Sequence, residues 1–413
     1  MDFTEFGLDA KLMDGIASLN YKIATPAQVK AIPIILQGKD IIVSAQTGTG
    51  KTAAYLLPIV NKIIQSNVHD QRVKALVLVP TRELAVQIDQ LMEGLSYFTD
   101  VSSIAVYGGG DGLSFSREQQ ALTAGADIVI CTPGRMLAHL NMNYFKFDGL
   151  NYLVLDEADR MLDIGFFDDI MRIISYLPKQ RQTLMFSATM PHKIRELAKK
   201  VLIQPDEVNI SISKPNENIA QFAYIVKEDQ KIPLVKFLLG DRRGQRILVF
   251  CSTKSSTKQL ARDLKKIHLP VEDIHSDLEQ NEREEVLLAF KNRKVEILVA
   301  TDILSRGIDI EDIDLVINYD VPNDGEDYIH RIGRTARAAS KGMAITFVNE
   351  KDQFRFSKIE DLLGKPVPRA EVPTQFGPGP EYNPIKNRHL GNKKRGGSQG
   401  GNRHRKGPPH RRK

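Results

Sequence analysis

The chain has 413 residues, of which 42% are hydrophobic and 26% charged, enough for two or three folded domains with apolar cores rather than a disordered chain. No stretch approaches the ~18–20 apolar residues of a membrane span, and the N-terminus lacks the basic and apolar segments of a secretory signal, so we predict a cytoplasmic protein without a membrane partner. The net charge of +6 is uneven: residues 371–413 hold 11 Lys and Arg against 2 acidic residues, which leaves the rest close to −3.

The first half of the chain alternates short apolar runs with segments of helical periodicity. The runs are continuous rather than alternating, which is typical of parallel strands covered by helices on both faces. The predicted strands are 40–44, 75–79, 127–131, 152–155 and 183–186. Cys131 ends one of these runs and Cys251 directly follows a later one, so we predict that both are small buried residues.

The second half repeats the pattern, with predicted strands at 246–250, 271–274, 296–300, 315–319 and 344–348. Two α/β domains in tandem are therefore expected, at 1–208 and 219–369. Between them, residues 209–218 are rich in Ser, Pro and Asn and predict a linker. From residue 370 to 413 the chain is Gly-, Pro- and basic-rich without apolar periodicity, which predicts a disordered tail.

A phosphate-binding loop follows the first predicted strand. Glycines in such a loop let backbone N–H groups face phosphates, while Lys51 reaches the outer phosphates and the Thr52 hydroxyl can bind Mg²⁺. Taken alone, the pattern also fits a glycine turn with a surface lysine, but the strand before it and the helix after it favour the loop. Its residues are Ala45, Gln46, Thr47, Gly48, Thr49, Gly50, Lys51 and Thr52.

An acidic pair, Asp156 and Glu157, follows the strand at 152–155. Ligands of parallel sheets bind beyond the carboxyl ends of the strands. Asp156 can therefore hold Mg²⁺ opposite Thr52, and Glu157 can orient or deprotonate the attacking water. By itself such an acidic stretch is usually a solvated turn, and it is the phosphate loop upstream that favours the catalytic interpretation.

The spelling of this stretch, Asp156-Glu-Ala-Asp159, indicates a family: the chain resembles the DEAD-box RNA helicases of superfamily 2 from about residue 3 to 350. Residues 20–28 match the Q motif of the family, and the Q-motif region, which includes an aromatic residue upstream, is 1–29. Other family motifs are matched, in order along the chain, at 80–84, 108–109, 132–135, 187–189, 300–309 and 330–337. The short N-terminus and basic tail look most like the bacterial RhlE-type subgroup. The resemblance implies two tandem RecA-like parallel-sheet domains.

The resemblance also implies the roles of individual residues in ATP binding and hydrolysis. Gln28 is expected to read the adenine edge, Tyr21 to pack on its face and Phe3 to act as the upstream aromatic of the Q motif. Asp309 is expected to bind the ribose. Arg334 and Arg337 are expected to reach the γ-phosphate as arginine fingers. Three residues are expected to link the presence of the γ-phosphate to closure of the two domains: Ser187, Thr189 and His330.

The RNA contacts implied by the resemblance hold one strand through phosphates and 2′-hydroxyls, so that RNA is distinguished from DNA without reading sequence. They are Arg82, Gly109, Thr132 and Arg135 from the first domain and Arg283, Thr301, Arg306 and Gly307 from the second. The implied enzyme hydrolyses ATP to bend the held strand and open short duplexes non-processively. The basic tail is expected to tether RNA electrostatically.

Two alternatives remain open at this point: a DNA-acting helicase of the same superfamily, and an ATP-dependent RNA clamp or scaffold that binds without unwinding. A DNA helicase would not need the Gln28 motif or the sequence motifs that contact RNA. An RNA clamp would have the same motifs as an RNA helicase, so the sequence does not separate these two. Partners among ribosome-assembly or RNA-decay proteins are family expectations.

Overall fold

A computed structural model of the chain describes residues 1–45, 48–66, 68, 70–109, 112–210, 218–301, 313–323, 325–335 and 342–385. The chain divides into two compact units. The first lobe contains residues 1–216, and the second lobe contains residues 217–277 with most of the chain that follows. The boundary between the two units lies inside the predicted linker. Asn209 is still part of a strand, and Ile210 N–H donates to the Ser44 carbonyl. The first residues of the predicted linker therefore belong to the first sheet.

The first lobe is built on a seven-stranded, wholly parallel sheet. Its strands are β1 (Ile41–Ser44), β2 (Ala75–Leu78), β3 (Ser103–Val106), β4 (Ile128–Cys131), β5 (Tyr152–Leu155), β6 (Gln182–Ser187) and β7 (Asp206–Asn209). Their order in the sheet is β3-β4-β2-β5-β6-β1-β7. Side chains of β2 alternate between two cores, with Val77 on one face and Leu76 and Leu78 on the other, which explains the continuous apolar run.

Helices cover both faces of this sheet. Their starts are encoded locally: the hydroxyls of Thr25 and Thr81 accept backbone N–H groups of the first turns of α2 and α4. After a 3₁₀ turn at Phe3–Phe6, the helices are α1 (Ala10–Ser18), α2 (Pro26–Leu36), α3 (Lys51–Ser66), α4 (Arg82–Ser96), α5 (Gly112–Ala124), α6 (Pro133–Leu140), α7 (Ala158–Ile164), α8 (Phe167–Ser175) and α9 (His192–Val201).

The second lobe repeats the architecture with the order β10-β11-β9-β12-β13-β8-β14, which is the first order advanced by seven strands. The strands are β8 (Ile219–Ile225), β9 (Ile247–Cys251), β10 (Val271–Ile274), β11 (Ile297–Thr301), β12 (Leu315–Asn318), β13 (Gly342–Val348) and β14 (Arg369–Ala370). A 3₁₀ turn at Glu228–Gln230 precedes the described helices: α10 (Lys231–Gly240), α11 (Lys254–Lys265), α12 (Gln280–Lys291), α13 (Gly325–Ile332) and α14 (Gln353–Leu363).

Residues 371–385, the C-terminal strap, pack on the second lobe. The Gln230 side-chain amide donates to the carbonyl of Phe376 at 2.8 Å. Gln353 donates to the carbonyl of Glu381 at 2.8 Å and accepts from Asn383 N–H at 2.7 Å. The prediction of disorder from residue 370 is therefore wrong for residues 370–385, because side-chain amides hold a backbone that has no apolar periodicity. Residues 386–413 lie outside the described residues.

Both cysteines are buried at the ends of β4 and β9, as predicted. Within the described ranges, no helix is long and apolar enough to cross a membrane.

Candidate functional site

The phosphate loop joins β1 to α3, as the sequence predicts. Lys51 is the first residue of α3, and its buried ammonium donates to the carbonyl of Ala45 at 2.7 Å. Gly50 has a φ of +79°, and a Cβ there would lie 2.5 Å from the Gln28 amide nitrogen, so only glycine fits. The loop therefore holds its lysine on a backbone oxygen that a phosphate oxygen can replace. Gln46 and Thr47 lie outside the described residues.

The acidic pair follows β5, and its two carboxylates have different surroundings. Asp156 is 2% exposed and accepts the Tyr55 hydroxyl at 2.9 Å and Glu157 N–H at 2.9 Å. Burial raises the pKa of Asp156 from 3.8 to about 6, against the opposing effect of Lys51. Glu157 has a left-handed backbone with φ 49°, and Arg160 Nη1 donates to its carboxylate at 3.1 Å.

The residues next to the loop fit a magnesium ion. Mg²⁺ prefers oxygen ligands, and the Thr52 hydroxyl on α3 and the Asp156 carboxylate after β5 are oxygen donors. A buried carboxylate with a raised pKa is also a group that a cation would favour in its ionised form. Tyr55 was not predicted as part of this site, because one residue within the apolar α3 carries no signal of its hydroxyl's partner.

The Q-motif residues are tied to the phosphate loop. The Gln28 side chain is 4% exposed; its oxygen accepts Thr25 N–H at 2.8 Å and its nitrogen donates to the Gly50 carbonyl at 3.2 Å. The Thr25 hydroxyl donates to the Thr49 carbonyl at 2.7 Å. The start of α2 is therefore joined to the loop through two side chains.

Phe3 lies behind Tyr21 rather than on a ligand-facing surface. Its ring is 2% exposed, stacked 6.2 Å from the Tyr21 ring and 6.0 Å from the Phe6 ring. Tyr21 is partly exposed. Because so buried a ring has little surface left for a base, we expect Phe3 to act by supporting Tyr21, and its place in the nucleotide site stays a prediction.

One predicted coupling residue, Thr189, bonds to the last acidic residue of the Asp156–Asp159 stretch, and a second, Ser187, bonds to Thr189. Asp159 accepts Ala188 N–H at 3.1 Å and Thr189 N–H at 2.9 Å, while the Ser187 hydroxyl donates to the Thr189 carbonyl at 2.7 Å. A movement of the backbone near Asp156 can therefore be passed to the end of β6 through the carboxylate of Asp159. The sequence predicted no role for Asp159 beyond its place in the acidic stretch.

The strand order separates the predicted nucleotide residues from the predicted RNA residues along one edge of the first sheet. Gly109, Arg135 with Thr132, and Arg82 follow β3, β4 and β2, on one half of the carboxyl edge. Asp156, Ser187 and Lys51 follow β5, β6 and β1, on the other half. A Cβ on Gly109 would overlap the Arg82 guanidinium, so glycine is needed where that side chain crosses the backbone.

Four of the residues predicted for the second domain are described. Thr301 ends β11 and Arg283 lies on α12, while His330 and Arg334 lie at the end of α13. Arg334 is 8% exposed. Arg306, Gly307, Asp309 and Arg337 lie outside the described residues.

Arg331 lies in the same stretch as Arg334, but its side chain is buried in contacts within the second lobe. It is 3% exposed, its guanidinium lies 5.0 Å from the Phe250 ring centre, and Nη1 donates to the Asp320 carbonyl at 2.9 Å. These contacts join the ends of β9 and β12 within the second lobe.

The second lobe also has a lysine at the position that Lys51 holds in the first. Lys231 begins α10, the helix after β8, and β8 occupies the place of β1 in the strand order. Its ammonium lies 2.8 Å from Asp320 Oδ1 and 3.2 Å from Glu228 Oε2. Its buried side chain therefore already has two carboxylate partners.

Comparison with known proteins gives a consistent result over most of the chain. The DEAD/DEAH box helicase model matches residues 25–197, and the Helicase conserved C-terminal domain model matches residues 230–339. The ATP-dependent RNA helicase CshA of Listeria monocytogenes is 43% identical over 90% of this chain and 71% of its own length. The DEAD-box ATP-dependent RNA helicase CshA of Geobacillus kaustophilus is 40% identical over 90% of this chain and 79% of its own length.

Among solved structures, S. cerevisiae Dbp5 bound to RNA and ADP BeF3 is similar with a TM-score of 0.80 and 31% identity, covering 89% of this chain and 95% of Dbp5. Both curated relatives are of the CshA type, so the predicted RhlE-type subgroup is not supported.

Proposed function

The chain belongs to the DEAD/DEAH box helicase family and is an ATP-dependent RNA helicase, and from this premise we propose how its residues divide the work. The observation that carries the proposal is the divided carboxyl edge of the first sheet, where phosphate-loop and acidic residues occupy one half and Arg82, Thr132 and Arg135 the other. We propose that ATP binds the first half and RNA the second, so that adjacent strands of one rigid sheet connect the two ligands.

On the nucleotide half, we propose that Lys51 exchanges the Ala45 carbonyl for an outer phosphate oxygen. Gln28 then reads adenine and, through its bond to Gly50, senses whether the loop has opened. Tyr21, supported by Phe3, packs on the base. Thr52 and Asp156 would hold Mg²⁺, which would supply charge neutralisation at the phosphates.

For hydrolysis, we propose that Glu157 orients the attacking water and that Arg334 and Arg337 stabilise charge in the transition state. Asp309 would bind the ribose. Ser187, Thr189 and His330 would report the γ-phosphate to the rest of the protein, and Asp159 joins this set because it already holds the backbone of residues 188 and 189.

For RNA, we propose that the first-lobe residues and Arg283, Thr301, Arg306 and Gly307 of the second lobe hold one strand by phosphates and 2′-hydroxyls, and that the strand is bent so that its partner leaves. The domain limits 1–208 and 219–369 remain predictions, except that β7 extends to Asn209 and β14 to Ala370. An RNA tether in the basic tail, a cytoplasmic location, and partners in ribosome assembly or RNA decay also remain predictions. Neither a DNA-acting enzyme nor a pure clamp is favoured by the family.

The test is strand displacement from short RNA, DNA and hybrid duplexes, measured together with ATP turnover. We expect displacement of duplexes that offer an RNA strand, and little displacement of DNA duplexes. ATP turnover with no displacement would instead identify a clamp.

Glu157→Gln tests the assignment of the water-orienting residue. Turnover should fall by about 10²–10⁴ because the group that orients water is removed. ATP binding should persist, and RNA release should slow. Glu93→Gln, an exposed change of equal charge on α4, is the control. Parental turnover in Glu157→Gln would show that another residue orients the water.

A further inference from the structure

A polar cluster lies between α5 and α6 of the first lobe and contains Phe115, Glu118, Arg135, His139 and Tyr144; we call it the Glu118 cluster. Phe115 and Glu118 are three residues apart on α5, and Arg135 and His139 are four apart on α6, so each pair lies on one helix face. Glu118 is 6% exposed and His139 is fully buried.

Glu118 is the centre of the cluster. Its Oε2 accepts from Arg135 Nε at 2.6 Å and lies 2.7 Å from His139 Nε2. Its Oε1 accepts the backbone N–H of Tyr107 at 3.3 Å. One carboxylate therefore joins the end of β3 to two side chains of α6.

Both ring nitrogens of His139 have hydrogen-bonding partners. Nε2 faces the Glu118 carboxylate, and Nδ1 faces the Tyr144 hydroxyl. The His139 ring stacks on Phe115 with 4.2 Å between centres, and the Arg135 guanidinium lies 4.6 Å from the same Phe115 ring. Two contacts thus restrict the orientation of the Arg135 guanidinium. The Phe115 ring packs against the face of the guanidinium, and Glu118 binds its Nε edge.

Only part of the hydrogen-bonding capacity of Arg135 is used in this arrangement. A guanidinium has five N–H donors, and Glu118 takes the one on Nε. Nη2 has no hydrogen-bond partner among the described residues. Buried ion pairs are weak devices for stability alone, because desolvation offsets their attraction. Their value here is orientation: the direction of the side chain is set, while Nη2 keeps a donor that no described residue uses.

We propose that Glu118, with His139 and Phe115, is a positioning residue that holds the Arg135 guanidinium in the orientation that binds an RNA phosphate. The inference rests on the proposed RNA contact of Arg135. Glu118 itself touches no ligand, so its removal should act through Arg135 alone.

The experiment is a double-mutant cycle in the full chain with Arg135→Ala, Glu118→Ala and the double variant. Glu118→Gln is included because it keeps an acceptor for Arg135 Nε, and Phe115→Leu because it removes the stacked ring. Affinity for a short fluorescein-labelled oligouridine strand is measured against salt with a non-hydrolysable ATP analogue present. Glu93→Gln is the matched control for charge.

Arg135→Ala and Glu118→Ala should each weaken RNA binding about tenfold, since each removes or misdirects one hydrogen bond to a charged phosphate. The slope of log K against log salt should flatten by about 0.7, the contribution of one phosphate on a single strand. The double variant should match Arg135→Ala, and Glu118→Gln should recover part of the affinity. The ATP affinity of Glu118→Ala and Phe115→Leu, measured without RNA, should match that of Glu93→Gln.

Independent, additive reductions in affinity in the double variant would overturn the inference. So would Glu118 and Phe115 variants that bind RNA like the control while Arg135→Ala is weakened, an outcome that leaves the proposed function intact. If Arg135→Ala binds RNA normally, the proposed RNA contact and the inference both fail. If Glu118→Ala does not fold, Glu118→Gln and Phe115→Leu decide the question by their salt slopes, which a purely structural defect would leave unchanged.

Discussion

The two lobes carry the same sheet but use equivalent positions differently. Lys51 and Lys231 each begin the helix that follows the strand next to the sheet edge. Lys51 rests on a carbonyl of a glycine-containing loop. Lys231 is held by Asp320 and by Glu228 of a loop that contains no glycine. Burial lowers the pKa of Lys231, but these two carboxylates outweigh it, so its pKa is raised.

A lysine that rests on a neutral carbonyl can exchange that partner for a phosphate, whereas one paired with two carboxylates cannot do so without leaving them unpaired. The comparison teaches that the sheet positions a lysine and the preceding loop decides whether it binds nucleotide. If the second lobe takes part in ATP hydrolysis, as proposed above, it must do so through residues other than Lys231, and Arg334 is the one proposed.

The largest expected effect tests that last implication. Arg334→Ala should lower RNA-stimulated ATP turnover by about 10³–10⁵, the contribution of an arginine finger, with little change in ATP affinity. Steady-state turnover and equilibrium binding of a fluorescent ATP analogue measure the two quantities. Arg262→Ala, an exposed change on α11, is the control. Weaker ATP binding with normal turnover would remove Arg334 from the transition state.

The second test compares the roles of the two lysines. Lys231→Met should destabilise the second lobe by about 3–5 kcal/mol, because Asp320 is left without its buried cation, yet leave ATP affinity unchanged. Adding Asp320→Asn should restore part of the stability. Lys51→Met should abolish hydrolysis with little change in stability. Hydrogen exchange at β8 and β12 measures the local effect, and a folded Lys231→Met protein that fails to bind ATP would break the comparison.

The third test uses pH. Because the folded pKa of Asp156 is about 6 and its ordinary value 3.8, the stability this group contributes is complete below pH ~4 and is lost as pH rises to ~6. Without nucleotide, Asp156→Asn should therefore become more stable than the parent as pH rises through that window, by up to about 3 kcal/mol above it. Asp320→Asn should instead destabilise, because Asp320 is paired with Lys231.

Thermal unfolding at pH 4 and pH 7 measures the third effect, with Asp100→Asn, at an exposed carboxylate, as the control. A stability difference between Asp156→Asn and the parent that does not change with pH would show that Asp156 is not the buried acid described here.

The smallest expected effect concerns the tail. Residues 386–413 hold 11 Lys and Arg and no acidic residue. Deleting them should weaken RNA binding at low salt and flatten its salt slope, by about 0.7 for each phosphate that the tail no longer neutralises, while ATPase at saturating RNA persists. Deletion from residue 371 should also destabilise the second lobe, because the side-chain amides of Gln230 and Gln353 lose the hydrogen bonds that they make to the strap. An unchanged salt slope would indicate a solubilising or protein-docking tail.

The central strands were predictable because continuous apolar runs mark them. β8 was missed because its side chains alternate between buried and exposed, and β7 because Asp206 and Glu207 make it polar at the sheet edge. The C-terminal strap was missed because its order comes from distant amides. None of these features produces a continuous apolar run.

The nucleotide residues were predictable because phosphate chemistry restricts their types and spacing. Their partners were not: the Tyr55 bond to Asp156 and the Glu118 bond to Arg135 join residues 101 and 17 positions apart. A single polar residue in a helix carries no mark of which side chain it will meet across the fold.

The strand order also sets when each lobe can be completed on the ribosome. β1, which leads into the phosphate loop, pairs with β6 and β7, so the loop lacks its flanking strands until about 150 more residues have emerged. At ~5–20 residues per second that delay is on the order of ten seconds. β8 likewise waits for β13 and β14. A nascent first lobe therefore cannot use ATP as a folding template, and nucleotide binds only after its last strand has been made.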